Sequence, residues 1–375
     1  MTLRFWGCLL LFAGMGWLML HSPQIAATNV SAADALTEEI NRSPHAVAVS
    51  PDGRFCLAAN HTSGTVSLVE WKTGRVLTEH RVGAGPWDVV WIDSQRILVS
   101  LLHDDAVALL SFDARTRSLK TEELIPIGDE PRGITVHRNH AFIAVTGDDA
   151  VLVLDLSTRK VVKRIPVGGV PESVTVSPDG KWLVTCCSVP GEVWVHDAST
   201  WQLMSRRQVF DDAFHLGTAV ISNDSSVVIL PHQVNRTFPL SADNVEKGWA
   251  IDNRLTKLPL PNGKYWEQKQ LGLDIRGDAA GDANAVALSP DEHWLVVTCG
   301  GSHELLIFDF KNAAWPLADP GDFVPYEIES TEGILRRVEL GGRPVDVKFV
   351  DTQTAVVANS LANSIQIVDL VAGKL

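Results

Sequence analysis

Six of the twelve histidines in this 375-residue chain occur at two recurring places in a repeated sequence pattern. They lie in loops that lead into the first strand of a repeat or that connect its second and third strands: His45, His61, His103, His215, His232 and His303. Imidazoles that converge on one site can bind zinc, copper or iron. These histidines lack the fixed spacing of a metal motif, so the alternative to a metal site is a surface that binds a ligand or partner. If a metal is bound, His232 and His303 are the weak candidates for its ligands.

The same loops supply other groups that bind ligands. A guanidinium group pairs with a carboxylate through charge-assisted hydrogen bonds, so the predicted binding funnel also includes Arg132, Glu172 and Arg343. A long segment in the fifth repeat adds four residues that we expect to form the contact surface: His232, Asn235, Arg236 and Arg254. The sequence contains none of the local motifs of hydrolases, metalloproteases or nucleotide-binding proteins. If the protein is an enzyme, its catalytic residues are therefore unknown.

The elements that must position these loops repeat along the chain. Each repeat has an alternating apolar strand, a turn, a second strand and a third strand that ends in Asp. The repeat from Pro171 to Asp197 shows the whole pattern, with a turn from Ser177 to Gly180 between its first two strands. Seven such repeats begin about 40 to 45 residues apart, except at two longer intervals, and short strands at this period indicate a β-propeller.

The pattern predicts an all-β fold, a seven-bladed β-propeller of four-stranded blades. The last repeat stops after its third strand, whereas residues 35–40 stand before the first repeat, in the place of an outer strand. We therefore expect an N-terminal strand to complete the last blade and close the ring, which removes exposed strand edges. The two longer intervals predict insertions at about 232–282 in blade five and 312–335 in blade six, where long loops on a rigid scaffold can carry function.

The N-terminus is predicted to be a secretory signal peptide. Residues 5–20 are apolar apart from glycine, Arg4 is the single charge before them, and small residues follow. This run is short for a membrane span, and its layout is that of a cleaved leader. We assign residues 1–33 to the signal peptide and linker and residues 34–375 to the propeller, which we expect to be a periplasmic or secreted monomer without a membrane span.

Composition limits the partners and cofactors. A formal net charge of −13 argues against nucleic acid and anionic membranes, and it suits a soluble protein that meets a basic partner. The five cysteines lack the paired spacing of a zinc ribbon, and no CxxCH haem-attachment motif occurs. We therefore expect no cofactor in this chain and buried free thiols.

The pattern resembles the YVTN-type, WD40-like repeats of bacterial seven-bladed propellers. The likeness covers nearly all of residues 44–375 and rests on the Ser-Pro-Asp-Gly turn, a second strand ending in Ala-Asn and a third ending in Asp. The long segment of blade five looks like the propeller half of exported proteins that join such a propeller to a c-type cytochrome similar to di-haem peroxidases. The stretches that carry this second likeness are residues 232–236, 246–249, 252–254 and 263–268.

The resemblance implies a binding or docking module in a periplasmic redox system linked to cytochrome c. In that family the haem domain follows the propeller and carries CxxCH motifs, so haem would lie on a partner protein or on a C-terminal domain beyond Leu375. The chain is then not expected to be catalytic by itself.

Two alternative functions stay open. One is a small-molecule enzyme, such as a lactonase-like hydrolase, that uses the funnel, and the other is a structural adhesion or scaffold module. Paired carboxylates or a histidine with a strongly shifted pKa in one pocket would favour the enzyme. A continuous exposed apolar and aromatic patch on the insertions would favour docking.

Overall fold

Seven antiparallel sheets form a ring in the computed structural model, which describes residues 28–30, 41–236, 238–246, 250–316 and 323–371. In all but the last of these sheets, neighbouring strands follow one another along the chain, so each sheet is a blade with its first strand innermost. First strands of neighbouring blades contact each other around the ring, and that of blade seven contacts that of blade one. The predicted seven-bladed propeller is therefore confirmed.

The first four blades have four strands each. Blade one contains Pro44–Val49, Cys56–Asn60, Thr65–Glu70 and Arg75–Arg81. Blade two contains Pro86–Trp91, Arg96–Leu101, Ala106–Asp113 and Ser118–Pro126. Blade three contains Pro131–His137, His140–Val145, Ala150–Asp155 and Lys160–Pro166. Blade four contains Gly169–Val176, Trp182–Val189, Glu192–Asp197 and Leu203–Gln208.

The last three blades are less regular. In blade five the first strand is split, and the strands are Ala213–Phe214, Val220–Ile221, Val227–Asn235, Ile251–Pro259 and Lys269–Gly272. Blade six contains Ala283–Leu288, Trp294–Cys299, Glu304–Asp309 and Leu335–Glu339. Blade seven contains Pro344–Phe349, Thr354–Asn359, Ser364–Asp369 and the N-terminal strand Thr28–Val30. The short helices are Ala242–Glu246, Tyr265–Glu267 (a 3-10 turn) and Tyr326–Ser330.

Apolar packing between neighbouring blades builds the core. Inner strands such as Cys56–Asn60 are buried along their whole length, whereas the outer strand Lys160–Pro166 is mostly exposed. The buried apolar side chains of the described residues form seven clusters, and each cluster fills one interface between adjacent blades. Because the ring is closed, each blade packs against a neighbouring blade on both of its faces.

A turn capped by a serine side chain joins the first two strands of several blades. Ser50 Oγ accepts a hydrogen bond from the Phe55 amide at 3.0 Å and donates one to Asp52 Oδ1 at 2.6 Å. Gly53 completes the turn with a φ of 67°, a conformation that glycine adopts without strain. The same serine–aspartate hydrogen bond recurs in blades four, five and six, at Ser177, Ser222 and Ser289.

An N-terminal strand closes the ring, as the sequence predicted. Thr28–Val30 pairs with Ser364–Asp369, the third strand of blade seven, with Thr28 opposite Ile367. The predicted segment, residues 35–40, lies outside the described residues, and the observed strand falls within the region assigned to leader and linker. A leader cleaved after Val30 would therefore remove the strand that completes blade seven.

The predicted insertion of blade five contains regular blade strands. Ile251–Pro259 and Lys269–Gly272, its third and fourth strands, both fall between residues 232 and 282. The additional chain is divided among the connections 236–250, 260–268 and 273–282. In blade six the long connection lies between the third and fourth strands. No helix in the described residues is long and apolar enough to cross a membrane.

Gly217 allows blade five to approach blade six. A Cβ atom at this position would overlap the carbonyl oxygen of Asn284 and would lie 2.9 Å from the Pro231 ring. We expect Gly217→Ala to lower the free energy of unfolding by about 3 kcal/mol, because packed backbone cannot move away. Urea unfolding followed by tryptophan fluorescence measures this change.

The control is Gly333→Ala. Nothing lies within 4 Å of a Cβ atom at Gly333, so the substitution adds only the cost of its left-handed backbone at φ 84°. That cost is about 1 kcal/mol. Equal losses of stability in the two variants would contradict the close approach of the blades.

Candidate functional site

The loops into the first strands place side chains around one end of a central channel. The channel has a volume of about 670 Å³ and is lined by the first strands of the seven blades. In a four-stranded antiparallel blade, these loops and the connections between strands two and three emerge on one face, here called the funnel face. The side chains around the channel mouth, here called the rim, are His45, His61, Trp87, His103, Arg132, Glu172, His215, Asp282, Asn284 and Arg343.

Imidazole and indole rings form one half of the rim. The His45 ring packs on Trp87 with 3.8 Å between ring centroids, and its Nδ1 lies 3.0 Å from the Trp87 carbonyl oxygen. The His61 ring lies 5.7 Å from that of Trp87 and 5.4 Å from that of His103. Blades one and two thus bring three of the predicted histidines together.

Burial keeps two of these histidines neutral at pH 7. It lowers the pKa of His45 to about 4, although a hydrogen bond to the Trp87 backbone acts in the opposite direction. Burial also lowers the pKa of His61, and the neighbouring His103 adds to this shift. A neutral imidazole keeps a nitrogen lone pair, so it can accept a hydrogen bond or ligate a metal. In the described part of the chain, however, no three His, Cys, Asp or Glu side chains are grouped as a metal site.

Alternating charges form the other half of the rim. Arg132 Nη1 lies 2.7 Å from Glu172 Oε1, and Glu172 Oε2 lies 4.0 Å from His215 Nδ1. On its other side, His215 Nε2 lies 3.4 Å from Asp282 Oδ1. Asp282 Oδ2 in turn lies 2.7 Å from Arg343 Nη2. These ion pairs connect the loops of blades three to seven.

Arg132 joins the two halves of the rim. Its guanidinium carbon lies 4.7 Å from the centroid of the Trp87 ring while the same group pairs with Glu172. A cation over an indole face is attracted by the ring quadrupole. The rim is therefore continuous across all seven blades. It includes seven of the predicted funnel residues: His45, His61, His103, Arg132, Glu172, His215 and Arg343.

His215 is the titrating group in the ionic half. Its hydrogen bond with Asp282 raises its pKa against the effect of burial, and the charge of Glu172 adds to the rise. The same hydrogen bond lowers the pKa of Asp282, despite burial of that carboxyl group. Because the folded-state pKa of His215 lies above its unfolded value, its stabilising charge is complete below about pH 6.5 and is lost as pH rises through the folded-state pKa.

We expect the stability advantage of the wild type over His215→Gln to shrink as pH rises from about 5.5 to about 8.5. Glutamine retains a hydrogen-bonding group without the charge, so the change with pH reports the imidazolium. Urea unfolding at several pH values measures it, with His303→Gln, an exposed histidine of the same face, as the control. If the difference in the free energy of unfolding between wild type and His215→Gln does not change with pH, the ion pairs of His215 with Glu172 and Asp282 do not contribute to stability.

Two predicted funnel residues are buried inside blade five instead. The exposed fractions of His232 and Arg254 are 0% and 1%. The two residues lie opposite each other on the second and third strands. His232 Nε2 lies 2.8 Å from Thr256 Oγ1, and Arg254 Nε donates to Asp252 Oδ2 at 2.6 Å. Contrary to expectation they do not line the open funnel, because the second strand continues through Asn235 where the sequence suggested a loop.

The remaining predicted residues lie outside the rim. Asn235 is exposed at the end of its strand, and its backbone amide donates to the Asp212 carbonyl oxygen at 3.1 Å. Arg236 Nη1 lies 3.8 Å from Asp252 Oδ2. His303 is exposed in a turn of blade six, and no described ring contact joins it to another histidine. The structure thus does not bring His232 and His303 together as one metal site.

Two buried carboxyl groups lie beside Arg254 in blade five. Asp252 and Asp274 are both 0% exposed. Burial, followed by the charge of Asp252, raises the pKa of Asp274 to about 8. Since Arg254 pairs with Asp252 at 2.6 Å, Asp252 keeps the negative charge and Asp274 keeps the proton at neutral pH.

We expect Asp274→Asn to gain stability relative to the wild type as pH rises from about 4 to about 8, by up to about 1.4 kcal/mol per pH unit. The folded-state pKa of Asp274 lies above the unfolded value, so its favourable contribution is present at low pH and is lost toward pH 8. Asparagine resembles the protonated acid and lacks this loss. Urea unfolding between those pH values measures the change, and the exposed Asp211→Asn is the control. A gain of the same size at both ends of the range would show that Asp274 is ionised throughout.

Three charged residues inside the channel were missed by the sequence analysis. Asp88, Asp346 and Lys348 line the channel wall, and Lys348 Nζ lies 2.7 Å from Asp346 Oδ1. A signal was present, because the position of the inner-strand pattern that Asp88 occupies is Asp in blades two and seven only. The other blades have a small or hydroxyl-bearing residue at this place: Ala46, Gly133, Ser173, Thr218 and Ala285.

The fold and the rim define a seven-bladed β-propeller with a candidate binding site at one end of its channel. Residues 133–257, about a third of the chain, match the family described as Cytochrome D1 heme domain. The structure is also similar to that of Kuenenia stuttgartiensis hydrazine synthase, with a TM-score of 0.75 and 22% sequence identity, covering 90% of this chain and 98% of that chain. At that identity the likeness shows the fold. No curated protein matches the sequence.

The family match and the similar fold confirm the predicted resemblance to propellers of haem proteins. The matched family carries haem in its description, and the matched residues include Glu172 and His215 of the rim.

Proposed function

We propose that this chain is an exported propeller that acts as a binding module of a redox system. Its funnel face would dock a partner protein that carries haem, such as a c-type cytochrome. The observation that carries the proposal is the continuous rim of imidazole, indole, guanidinium and carboxylate groups, in a chain whose blades three to five match a haem-domain family.

Exposed apolar side chains on the funnel face support docking of a protein. Phe238, Leu240 and Ile251 are 48%, 81% and 41% exposed, and all three lie on or beside the connection between strands two and three of blade five. By the topology of the blade, this connection emerges on the funnel face. An apolar patch flanked by polar groups is the usual composition of a protein–protein interface. A partner that covers the patch would also reach the rim.

The overall charge favours a basic partner. The chain has a formal net charge of −13, and complementary charge accelerates the encounter of two proteins. In the ionic half of the rim, Arg132 and Arg343 are already paired with Glu172 and Asp282. Basic groups of a partner would therefore compete with Arg132 and Arg343 for the rim carboxylates.

A second candidate function is that the rim itself holds a haem-type group, which the description of the matched family favours. The residues fit this group in part: His45 is engaged through Nδ1, which leaves Nε2 to ligate iron. Arg132 and Arg343 could bind its carboxylates only by releasing Glu172 and Asp282. Such a group would supply one-electron chemistry when bound, and the rim would orient it.

A hydrolase acting at the rim has less support. His45 contacts the Trp87 carbonyl oxygen, and His215 contacts the side chains of Asn284 and Asp282. None of these contacts is with a serine or threonine hydroxyl that the imidazole could activate as a nucleophile.

Calorimetric titration of the purified chain with a monohaem c-type cytochrome tests the docking proposal. We expect Leu240→Ser to weaken the affinity by about tenfold, since burial of a leucine contributes about 1.5 kcal/mol. The matched control is Leu203→Ser on the outer strand of blade four, which is 50% exposed but lies away from the funnel face. We expect this control to bind like the wild type.

The outcomes separate the two candidate functions. No binding of the cytochrome at concentrations up to about 1 mM, or an equal effect of the two leucine substitutions, would contradict docking on the funnel face. A parallel titration with hemin, followed by its Soret absorbance, tests the second candidate. A Soret shift in the wild type that is lost in His45→Ala would show that the chain itself holds haem.

A further inference from the structure

The central channel below the rim contains charged side chains that the docking proposal does not use. Its walls consist largely of apolar residues of the seven first strands, around a volume of about 670 Å³. Glu172 at the mouth is paired with Arg132, so the remaining charges of this wall are Asp88 on blade two and Asp346 and Lys348 on blade seven. Such a volume accommodates a small molecule together with water.

The two aspartates have the same structural role. Each occupies the third position of its first strand and accepts a hydrogen bond from the backbone of the next blade. Asp346 Oδ2 accepts from the Val47 amide at 2.9 Å, and Asp88 Oδ2 accepts from the Ile134 amide at 2.8 Å. These bonds hold neighbouring blades together, so one oxygen of each carboxylate is committed to the fold.

The second oxygen distinguishes the two aspartates. Asp346 Oδ1 is paired with Lys348 Nζ at 2.7 Å. Asp88 Oδ1 instead accepts only from the adjacent Val89 amide at 2.7 Å, and among the described residues no cation lies within ion-pair distance of Asp88. Asp88 is also partly exposed to the channel. Lys348 also attracts the Asp88 carboxylate but is paired with Asp346, so Asp88 has no counterion of its own in this confined space.

The charge balance of the channel follows from these contacts. Burial raises the pKa of Asp88 to about 6, so this carboxyl group is ionised at neutral pH. Burial alone would lower the pKa of Lys348, but the Asp346 carboxylate outweighs it and raises the pKa, which keeps the lysine charged. The three groups together carry one uncompensated negative charge, and an enclosed negative charge attracts a cation.

The groups above Asp88 suit an organic cation. His45 lies at the mouth of the same channel as a neutral imidazole that can accept a hydrogen bond. Apolar side chains such as Val89 and Ile134 line the channel beside Asp88 and can contact an alkyl group. We propose that the channel binds a small primary ammonium ion, with its nitrogen against Asp88 and its alkyl part along the aliphatic wall.

A metal ion fits the channel less well. Calcium needs six to eight oxygen ligands and magnesium an octahedral set, whereas the described residues contain no group of three His, Cys, Asp or Glu side chains placed to hold a metal. Lys348 lies beside Asp346 and would repel a divalent ion. A primary ammonium has a single charge and three hydrogen-bond donors, which one free carboxylate can satisfy together with water.

Calorimetric titration of the purified chain with butylamine at pH 7.5 tests the proposal. We expect binding of butylamine and none of 1-butanol, which has the same alkyl chain without the charge. Asp88→Asn should weaken butylamine binding by about tenfold or more, because a hydrogen bond to a charged group contributes about 1.5 to 3 kcal/mol. The control is Asp105→Asn, an exposed aspartate of the same blade, which should bind like the wild type.

A second variant acts in the opposite direction and preserves Asp88. Lys348→Met removes the lysine charge, so the channel carries two negative charges, and we expect butylamine to bind about tenfold more tightly. This gain keeps the proposal testable if Asp88→Asn fails to fold. Weaker or unchanged affinity of Lys348→Met, equal binding of butanol, or full binding by a folded Asp88→Asn would each overturn the proposal.

The pH dependence provides a further check. Affinity for butylamine should fall as pH decreases through about 6, where Asp88 takes up a proton. Besides Asp88, the charged or titratable groups that line the channel are His45, Glu172, Asp346 and Lys348, and the neighbouring first strand of blade three adds Arg132 and His137. His45 stays neutral down to about pH 4, so it does not account for a loss near pH 6. Affinity that stays constant from pH 7.5 to pH 5 would contradict the role of Asp88.

Discussion

Packing between neighbouring blades is the interaction on which the rest of this structure depends. Seven apolar clusters, one at each interface, hold the blades in a closed ring. Closure fixes the first strands around a channel, so that loops distant in sequence meet at one mouth. The carboxylate of Asp346, which accepts from the Val47 amide, ties the last blade to the first.

The fold could be predicted because the blade pattern is local and repeats. Serine-capped turns and alternating strands are short-range features, so each repeat independently indicates the same blade. Residues at strand entries, such as His45 and Arg132, could be assigned to one face because topology alone fixes that face. The seven predicted rim residues came from this argument.

The rest depends on register and on contacts between distant residues. The continuation of the second strand of blade five through Asn235 buries His232 and Arg254, and no local pattern marked this strand as longer than the others. The ion pairs from Arg132 to Arg343 connect side chains more than two hundred residues apart in sequence. Asp88 was not predicted because a single Asp in an apolar strand resembles a turn residue, and only the folded structure shows that it lines the channel.

The rim and the channel have different chemical character. The rim combines aromatic and charged groups that are exposed to a large partner, whereas the channel contains one carboxylate without a counterion. A docked partner would cover the channel mouth, so the two sites could be occupied in sequence on the same face. This arrangement is consistent with a binding module that receives a redox partner at one end of its channel.

Hydrogen–deuterium exchange of the chain, alone and with a monohaem c-type cytochrome, tests the central claim most directly. The account predicts slower exchange in peptides that contain the rim residues and the connection 236–250, with no change in the turns of the opposite face, such as the one at Ser177. Protection of the opposite face, or of the outer strands alone, would contradict docking on the funnel face.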